Sequence, residues 1–322
     1  MLKDFNYLRV SITDRCNFRC KYCEVTPSEK LSNESILNFE EILRFVKIAV
    51  HMGVKTVRIT GGEPLVRNSA VELFKMIKRE TNVDDLTFTT NGLFLDKYAS
   101  DLFDIGVTRF NVSLDSLDPV KFKELTGSDS LAKVIENIVL CKKIGFNPIK
   151  INVVALRGIN DNEACDFVEF ARAHGLSLRF IELMDICASS REFFESRFVA
   201  LDSIKTQLIE KYKLVETSEM LPKGRGPAVY YSTADHKGHV GFISPVSRHF
   251  CENCNRLRLM ANGLIKSCLL RTGEVNIMEL IRNGAPENEI IKIIEEIFKN
   301  KERARGKFSA CNRFSNMSEI GG

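Results

Sequence analysis

The 322-residue chain is 44% hydrophobic and 27% charged, a globular composition that excludes intrinsic disorder and leaves room for two domains. Forty-six Lys and Arg against 42 Asp and Glu give a net charge of only +4, too small and too evenly spread for a nucleic-acid groove but compatible with a local site for an anionic small ligand. No stretch approaches 18 apolar residues and the opening MLKDFNYLRV lacks the apolar centre of a signal peptide, so a cytoplasmic protein with no membrane partner is expected, whose ten cysteines serve metal or redox chemistry rather than disulfides.

The first strand pattern is YLRVSIT, and directly after it come Cys16, Cys20 and Cys23 in Cys-x3-Cys-x2-Cys spacing. Thiolates so grouped select zinc or an iron-sulfur centre. Zinc wants a fourth protein ligand, and the nearest histidine along the chain is His51; three thiolates on a 4Fe-4S cube instead leave one iron open to an exogenous ligand. The segment NFEEILRFVKIAVHMG follows with helical spacing. Then come the strands TVRIT, LTFTT, RFNVSL, IKINVV and LRFIEL, separated by further amphipathic segments. Six strands in a β/α rhythm predict a parallel sheet covered by helices, an α/β architecture built either as an open sheet or as an incomplete barrel.

Polar or conformationally special residues recur at the C-terminal ends of these strands: Thr60-Gly61-Gly62-Glu63, Thr89-Thr90-Asn91, Ser113-Leu114-Asp115, Asn152, and Glu182 with Met184. In barrel enzymes that end carries the active site, although Asn, Gly and Asp also serve as turn and cap residues. The two glycines permit close backbone approach, and Glu63, held extended before Pro64, can receive an ammonium.

After about residue 185 the rhythm stops. MLPKGRGPAVYYS reads as a connection into the β-hairpin region of a second, smaller domain. There Cys251-x2-Cys254-x13-Cys268 forms a second trio of thiolates, with His249 near enough to offer a Cys3His zinc site. In CNRLRL, read as a strand, Arg256 and Arg258 share one face while Leu257 and Leu259 face the core. Two guanidiniums beside a metal centre want an anion; the alternative is an exposed face with solvated charges. ENEIIKIIEEIFKNKE is expected to be a packed helix, and Cys141, Cys165, Cys187 and Cys311 stand alone as small hydrophobes or surface thiols.

The first cysteine spacing, with Tyr22 inside it and a strand before it, resembles the radical S-adenosylmethionine superfamily. YLRVSITDRCNFRCKYC, VRITGGEPLVR, GFISPVSRHFCENCNRLRL and the final NMSEIGG together resemble, over essentially the whole chain, the GTP 3',8-cyclase family of molybdenum cofactor biosynthesis. One departure is Glu24-Val25 where that family has Met-Pro. The resemblance implies an incomplete (β/α)6 TIM-type barrel over residues 1–226, with a smaller C-terminal domain over 227–322 closing its open side and carrying a second Fe-S cluster. It implies one 4Fe-4S cluster on Cys16, Cys20 and Cys23 and another on Cys251, Cys254 and Cys268. Tyr22, Gly62, Glu63, Ser113 and Met184 would bind S-adenosylmethionine, and Arg9, Arg58, Thr89, Lys150, Arg179, Arg256 and Arg258 would bind GTP. The expected catalytic set is Cys16, Cys20, Cys23, Arg256, Arg258 and a C-terminal Gly321-Gly322 folded back toward the site.

The implied reaction begins with reductive cleavage of S-adenosylmethionine to a 5'-deoxyadenosyl radical. That radical removes the ribose H3' of GTP, and C3' attacks guanine C8, giving (8S)-3',8-cyclo-7,8-dihydroguanosine 5'-triphosphate. An external one-electron reductant would act upstream and a cyclic pyranopterin monophosphate synthase downstream, and a homodimer is compatible with the resemblance. Two alternatives compete. One is another radical S-adenosylmethionine enzyme with an auxiliary cluster, such as a peptide maturase, which typically carries more C-terminal cysteines. The other is a non-catalytic, zinc-stabilised binding protein.

Overall fold

The computed structural model of the chain describes residues 5–23, 29–186, 191–217, 226–233, 238–248, 254–269, 275–303 and Met317. Its first half alternates strand and helix: β1 (Tyr7–Ser11), α1 (Phe39–His51), β2 (Thr56–Thr60), α2 (Ala70–Glu80), β3 (Asp85–Thr90), α3 (Leu95–Asp104) and β4 (Phe110–Ser113). Two helices, α4 (Pro119–Thr126) and α5 (Leu131–Ile144), precede β5 (Ile149–Ala155), and α6 (Ala164–His174) leads to β6 (Ser177–Glu182). Beyond β6 lie α7 (Arg191–Arg197), α8 (Leu201–Tyr212), β7 (Val215–Glu216), β8 (Val229–Ser232), β9 (His239–Ile243), β10 (Arg256–Leu259), β11 (Ile265–Lys266), α9 (Met278–Arg282) and α10 (Glu287–Arg303).

Local chemistry sets the helix ends. Asn38 and Glu41 form a reciprocal capping box at the start of α1, which satisfies backbone donors that a helix start leaves open. Asp118 accepts from Val120 and Lys121 at the start of α4, where Pro119 occupies the first helical position. On α1 the buried residues Ile42, Phe45, Val46 and Ala49 recur at helical spacing, so one stripe of the helix faces the sheet.

The sheet order is β11-β10-β1-β2-β3-β4-β5-β6-β9-β8-β7. Pairing is parallel throughout from β10 to β9; β11 and the β8-β7 pair add antiparallel strands at the two ends. All six strands expected from the β/α rhythm form. Two more parallel strands come from the C-terminal segment and lie on opposite edges, beside β6 and beside β1. Between the sheet and the helices is the main core, in which Phe110 stacks on Phe88 at 4.9 Å and meets Phe146 edge-on at 5.0 Å.

The rhythm also extends past residue 185. Leu201, Ile204 and Leu208 are the buried residues of α8, which packs against α6 and β6 and supplies the helix of the sixth unit. Three apolar anchors in a 12-residue polar helix give a weak periodic signal, which is why the sequence pattern stops short of it.

Candidate active site

On parallel strands the side chains alternate between faces, and registration therefore decides which residues meet. Arg9 pairs with Arg258 on one side and Arg58 on the other, while Tyr7 lies opposite Arg256. Asn111 pairs with Lys150, and Asn152 with both Ser113 and Arg179. The apolar partners of these residues, such as Val10, Val57, Ile59, Ile151 and Leu257, are buried on the opposite face. Residues of all eight parallel strands border one cavity of about 390 Å³, so the sheet is curled around it.

The cavity wall is strongly cationic. Arg58 is 5% exposed, Lys150 4%, Arg179 7% and Arg258 8%, which removes the solvated-face reading for Arg258; Arg9 and Arg256 are half-buried. Arg58 is tied to the Tyr7 hydroxyl through Nε, and its Nη1 donates to the Phe88 carbonyl at 2.9 Å and to Thr89 Oγ1 at 3.2 Å. By contrast Arg9 Nε, Arg179 Nε and Nη2, and Arg258 Nη1 are buried donors with no acceptor among the described residues. Buried unpaired charge is costly. Burial, reinforced by Arg256, lowers Arg258 to about 10. For Lys150, burial followed by Arg179, Arg109 and Arg58 lowers the ammonium to about 6. Burial raises the Tyr7 phenol, but Arg58, Arg256 and Arg9 outweigh it and bring it down to about 8. Burial leads for Arg258 and Lys150, and neighbouring positive charge adds to it there and prevails at Tyr7; a bound anion would relieve that charge.

The first cysteine trio lies at one end of this cavity. Its loop is held to the end of β2 by backbone bonds from Ile12 to Thr60, from Gly62 to Thr13 and from Glu63 to Arg15, at 2.9, 2.7 and 2.9 Å. A Cβ on Gly62 would stand 2.4 Å from the Arg15 carbonyl oxygen, so only glycine permits this approach. On its far side the loop donates from Arg19 and Lys21 to the carbonyls of Thr126 and Leu125, and Phe18 packs edge-on against Phe122. Cys16, Cys20 and Cys23 are half-buried and border the cavity. Burial and the neighbouring Cys23, Asp115 and Cys16 hold the Cys20 thiol well above its usual range, a bias that a bound cation reverses. Three thiols with no histidine beside them in the sequence suit a cluster that takes its thiolates on separate irons.

Around the trio stand the residues expected at S-adenosylmethionine. Tyr22, Gly62, Glu63, Ser113 and Met184 all border the cavity. Glu63 is extended (φ −130°, ψ 115°) before Pro64 and accepts from Leu65 N, Thr90 Oγ1 and Asn91 N at 3.0, 2.9 and 2.6 Å. Burial overrides these bonds and raises its carboxyl to about 7. A carboxylate offers about four lone-pair sites, so three donors leave room for one more. Tyr22 donates to Asp115 Oδ2 at 2.5 Å, and Val154 N fixes the other Asp115 oxygen at 2.8 Å.

The opposite end holds Cys254 and Cys268, both half-buried and bordering the same cavity. Burial raises the Cys254 thiol, but Lys301 and Arg256 outweigh it and lower it. Cys251, the third member of this trio, lies outside the described residues, as do Gly321 and Gly322. Met317, five residues upstream, borders the cavity, and its backbone N–H donates to the Cys23 carbonyl at 2.8 Å. Met317 also packs with Met184, Ile186, Met260 and Leu269, so it touches both the first cysteine loop and the segment that follows β10.

Several cavity residues escaped the sequence reading. Tyr7 binds Arg58 and lies 5.4 Å beneath the Arg256 guanidinium. Arg109 borders the cavity while paired to Asp85 through both carboxylate oxygens, and Tyr230 stands 5.9 Å from the Lys150 ammonium. For Tyr7 the signal was available: it shares the inward face with Arg9 at spacing 2 in the same strand.

Comparison with known proteins finds two family profiles in succession along the chain. The profile of the Radical SAM superfamily matches residues 10–171, and that of Molybdenum Cofactor Synthesis C matches residues 176–307. The chain is 43% identical to the GTP 3',8-cyclase of Syntrophomonas wolfei over 289 residues, 89% of this chain and 88% of that protein. It is 40% identical to the GTP 3',8-cyclase of Desulforamulus reducens over 321 residues, 99% of this chain and 98% of that one. Among solved structures, Streptococcus suis SuiB bound to S-adenosylmethionine has a TM-score of 0.67 at 16% identity, covering 98% of this chain and 72% of that one, a likeness of fold.

Proposed function

The chain belongs to the GTP 3',8-cyclase family within the radical S-adenosylmethionine superfamily, and we infer that the cationic cavity is where that family's reaction takes place. It is a lyase of molybdenum cofactor biosynthesis that converts GTP to 3',8-cyclo-7,8-dihydro-GTP with two 4Fe-4S clusters and S-adenosylmethionine. The observation that carries the reading is the cavity itself, with cysteines at both ends and buried guanidinium donors without acceptors between them.

In this reading Cys16, Cys20 and Cys23 hold the first cluster and Cys251, Cys254 and Cys268 the second. Tyr22, Gly62, Glu63, Ser113 and Met184 receive S-adenosylmethionine, with Glu63 as acceptor for its ammonium and Asp115 orienting Tyr22. When bound, the first cluster and S-adenosylmethionine supply the one-electron chemistry that removes H3' from the ribose. The protein contributes position and charge. Arg9, Arg58, Thr89, Lys150, Arg179, Arg256 and Arg258 receive GTP; the unpaired donors of Arg9, Arg179 and Arg258 fit charge-assisted, bidentate contacts to phosphate. Gly321 and Gly322 complete the site from the C-terminus, and residues 227–322 form the smaller domain bearing the second cluster. An external one-electron reductant, a downstream synthase and a cytoplasmic setting belong to the same reading. The peptide-maturase alternative has fold likeness alone behind it.

The test is elemental and enzymatic. Anaerobically reconstituted protein should carry about eight irons and eight sulfides, and Cys16→Ala, Cys20→Ala or Cys23→Ala should halve both and end 5'-deoxyadenosine formation. Two zincs in place of iron, or normal deoxyadenosine formation in those variants, would overturn it.

A further inference from the structure

Behind Cys254, outside the cavity lining, a buried lysine has no part in the reaction described so far. Lys301, in the last turn of α10, is 5% exposed. Its Nζ donates to Cys254 Sγ at 3.4 Å and to the Arg256 carbonyl at 2.6 Å, and lies 5.4 Å from the Phe298 ring. The helix that delivers it is anchored by the buried Ile290, Ile294, Ile297 and Phe298, with Phe298 against Phe5 at 4.8 Å. Such an ammonium is placed by the core, not by a mobile side chain. An unpaired buried ammonium would be strongly destabilising, and the partners at hand are one thiolate ligand and the strand that carries Arg256 and Arg258.

Two physical consequences follow for any iron-sulfur centre held by Cys254. An N–H···S bond reduces the charge that the thiolate gives to iron, and a fixed positive charge nearby favours the state with one more electron; both raise the reduction potential. The same lysine bridges the Cys254 sulfur to the Arg256 carbonyl at the start of β10.

We propose that Lys301 is a positioning residue of the second cluster, holding Cys254 in register with the Arg256–Arg258 strand and making that cluster easier to reduce. This rests on the reading of Cys251, Cys254 and Cys268 as its ligands. Lys301 acts through Cys254 and touches neither GTP nor S-adenosylmethionine.

The test uses the full chain with Cys16, Cys20 and Cys23 all changed to Ala, so that the second cluster alone gives the spectroscopic signal. Lys301→Met keeps length and removes charge; Lys301→Arg keeps charge. After anaerobic reconstitution, iron is counted and the cluster is titrated by EPR against redox mediators. The expected result is that K301M shifts the midpoint potential to more negative values, or loses iron that K301R retains, while K301R stays near the parent. An unchanged midpoint together with parent-level iron in K301M would overturn the proposal. Equal shifts or equal iron loss in K301M and K301R would also overturn it, since lysine would then act by shape alone. A parent protein that binds zinc or no metal at the second trio would instead refute the cluster reading, and the proposal would fall with it.

Discussion

Gly62→Ala is a small change with a large calculated consequence. The new Cβ would stand 2.4 Å from the Arg15 carbonyl oxygen, 2.6 Å from its carbonyl carbon and 3.0 Å from the Asp14 oxygen, where ordinary contact begins near 3.4 Å. These are backbone atoms, and backbone bonds from Gly62 to Thr13 and from Glu63 to Arg15 hold the two segments together. The cysteine loop must therefore retreat by about 1 Å, taking Cys16 with it. Overpacking of this kind costs about 1–3 kcal/mol, which a chain of this size registers as a loss of a few degrees in Tm. The catalytic loss is larger, because a misplacement of about 1 Å in a reacting assembly lowers rate by about 100-fold. Anaerobic assay of 5'-deoxyadenosine formation should show that fall, while the second cluster and GTP affinity are retained. A variant with unchanged Tm and wild-type deoxyadenosine formation would refute the reasoning that close backbone contact at Gly62 positions the cysteines.

Arg256→Ala and Arg258→Ala each remove charge-assisted contacts worth about 1.5–3 kcal/mol, so GTP affinity measured by equilibrium dialysis should fall roughly ten- to 150-fold with both clusters intact; unchanged affinity in both would contradict their placement at the nucleotide. Lys150 lies at about 6 in the protein alone and a triphosphate would raise it, so GTP binding takes up a proton above pH 6. Affinity should be greatest below pH 6 and fall by up to about tenfold per unit as pH rises toward the raised value in the complex, with Lys150→Met removing that part of the slope; parallel pH profiles for the two proteins would count against it. Deleting Gly321 and Gly322 should leave folding, iron content and GTP binding intact while cyclised product collapses, and full-rate product formation would show the two glycines to be dispensable.

Strands β1 to β6 were legible because each encodes its two faces within a few residues. In TVRIT, Val57 and Ile59 face the helices while Arg58 faces inward, and a cation there already implies an anion. The cysteine spacings and the glycine pair were equally local signals. What stayed hidden depends on contacts between residues far apart in the chain. Nothing near residue 256 states that β10 lies beside β1 with Arg258 against Arg9, nor that β9 extends the sheet beside β6. Asp115 read as a strand-end residue, but its partner Tyr22 lies 93 positions away. Lys301 looked like one more polar residue at the end of a packed helix; its role follows only from the approach of α10 to Cys254, 47 positions earlier.

The central claim is that this cavity brings ribose C3' of GTP to the site where S-adenosylmethionine is cleaved. Anaerobic turnover of GTP deuterated at C3', with S-adenosylmethionine and a reductant, tests it directly. The account predicts 3',8-cyclo-7,8-dihydro-GTP and 5'-deoxyadenosine carrying one deuterium per molecule; deoxyadenosine formed without deuterium, or with no cyclised nucleotide, would contradict it.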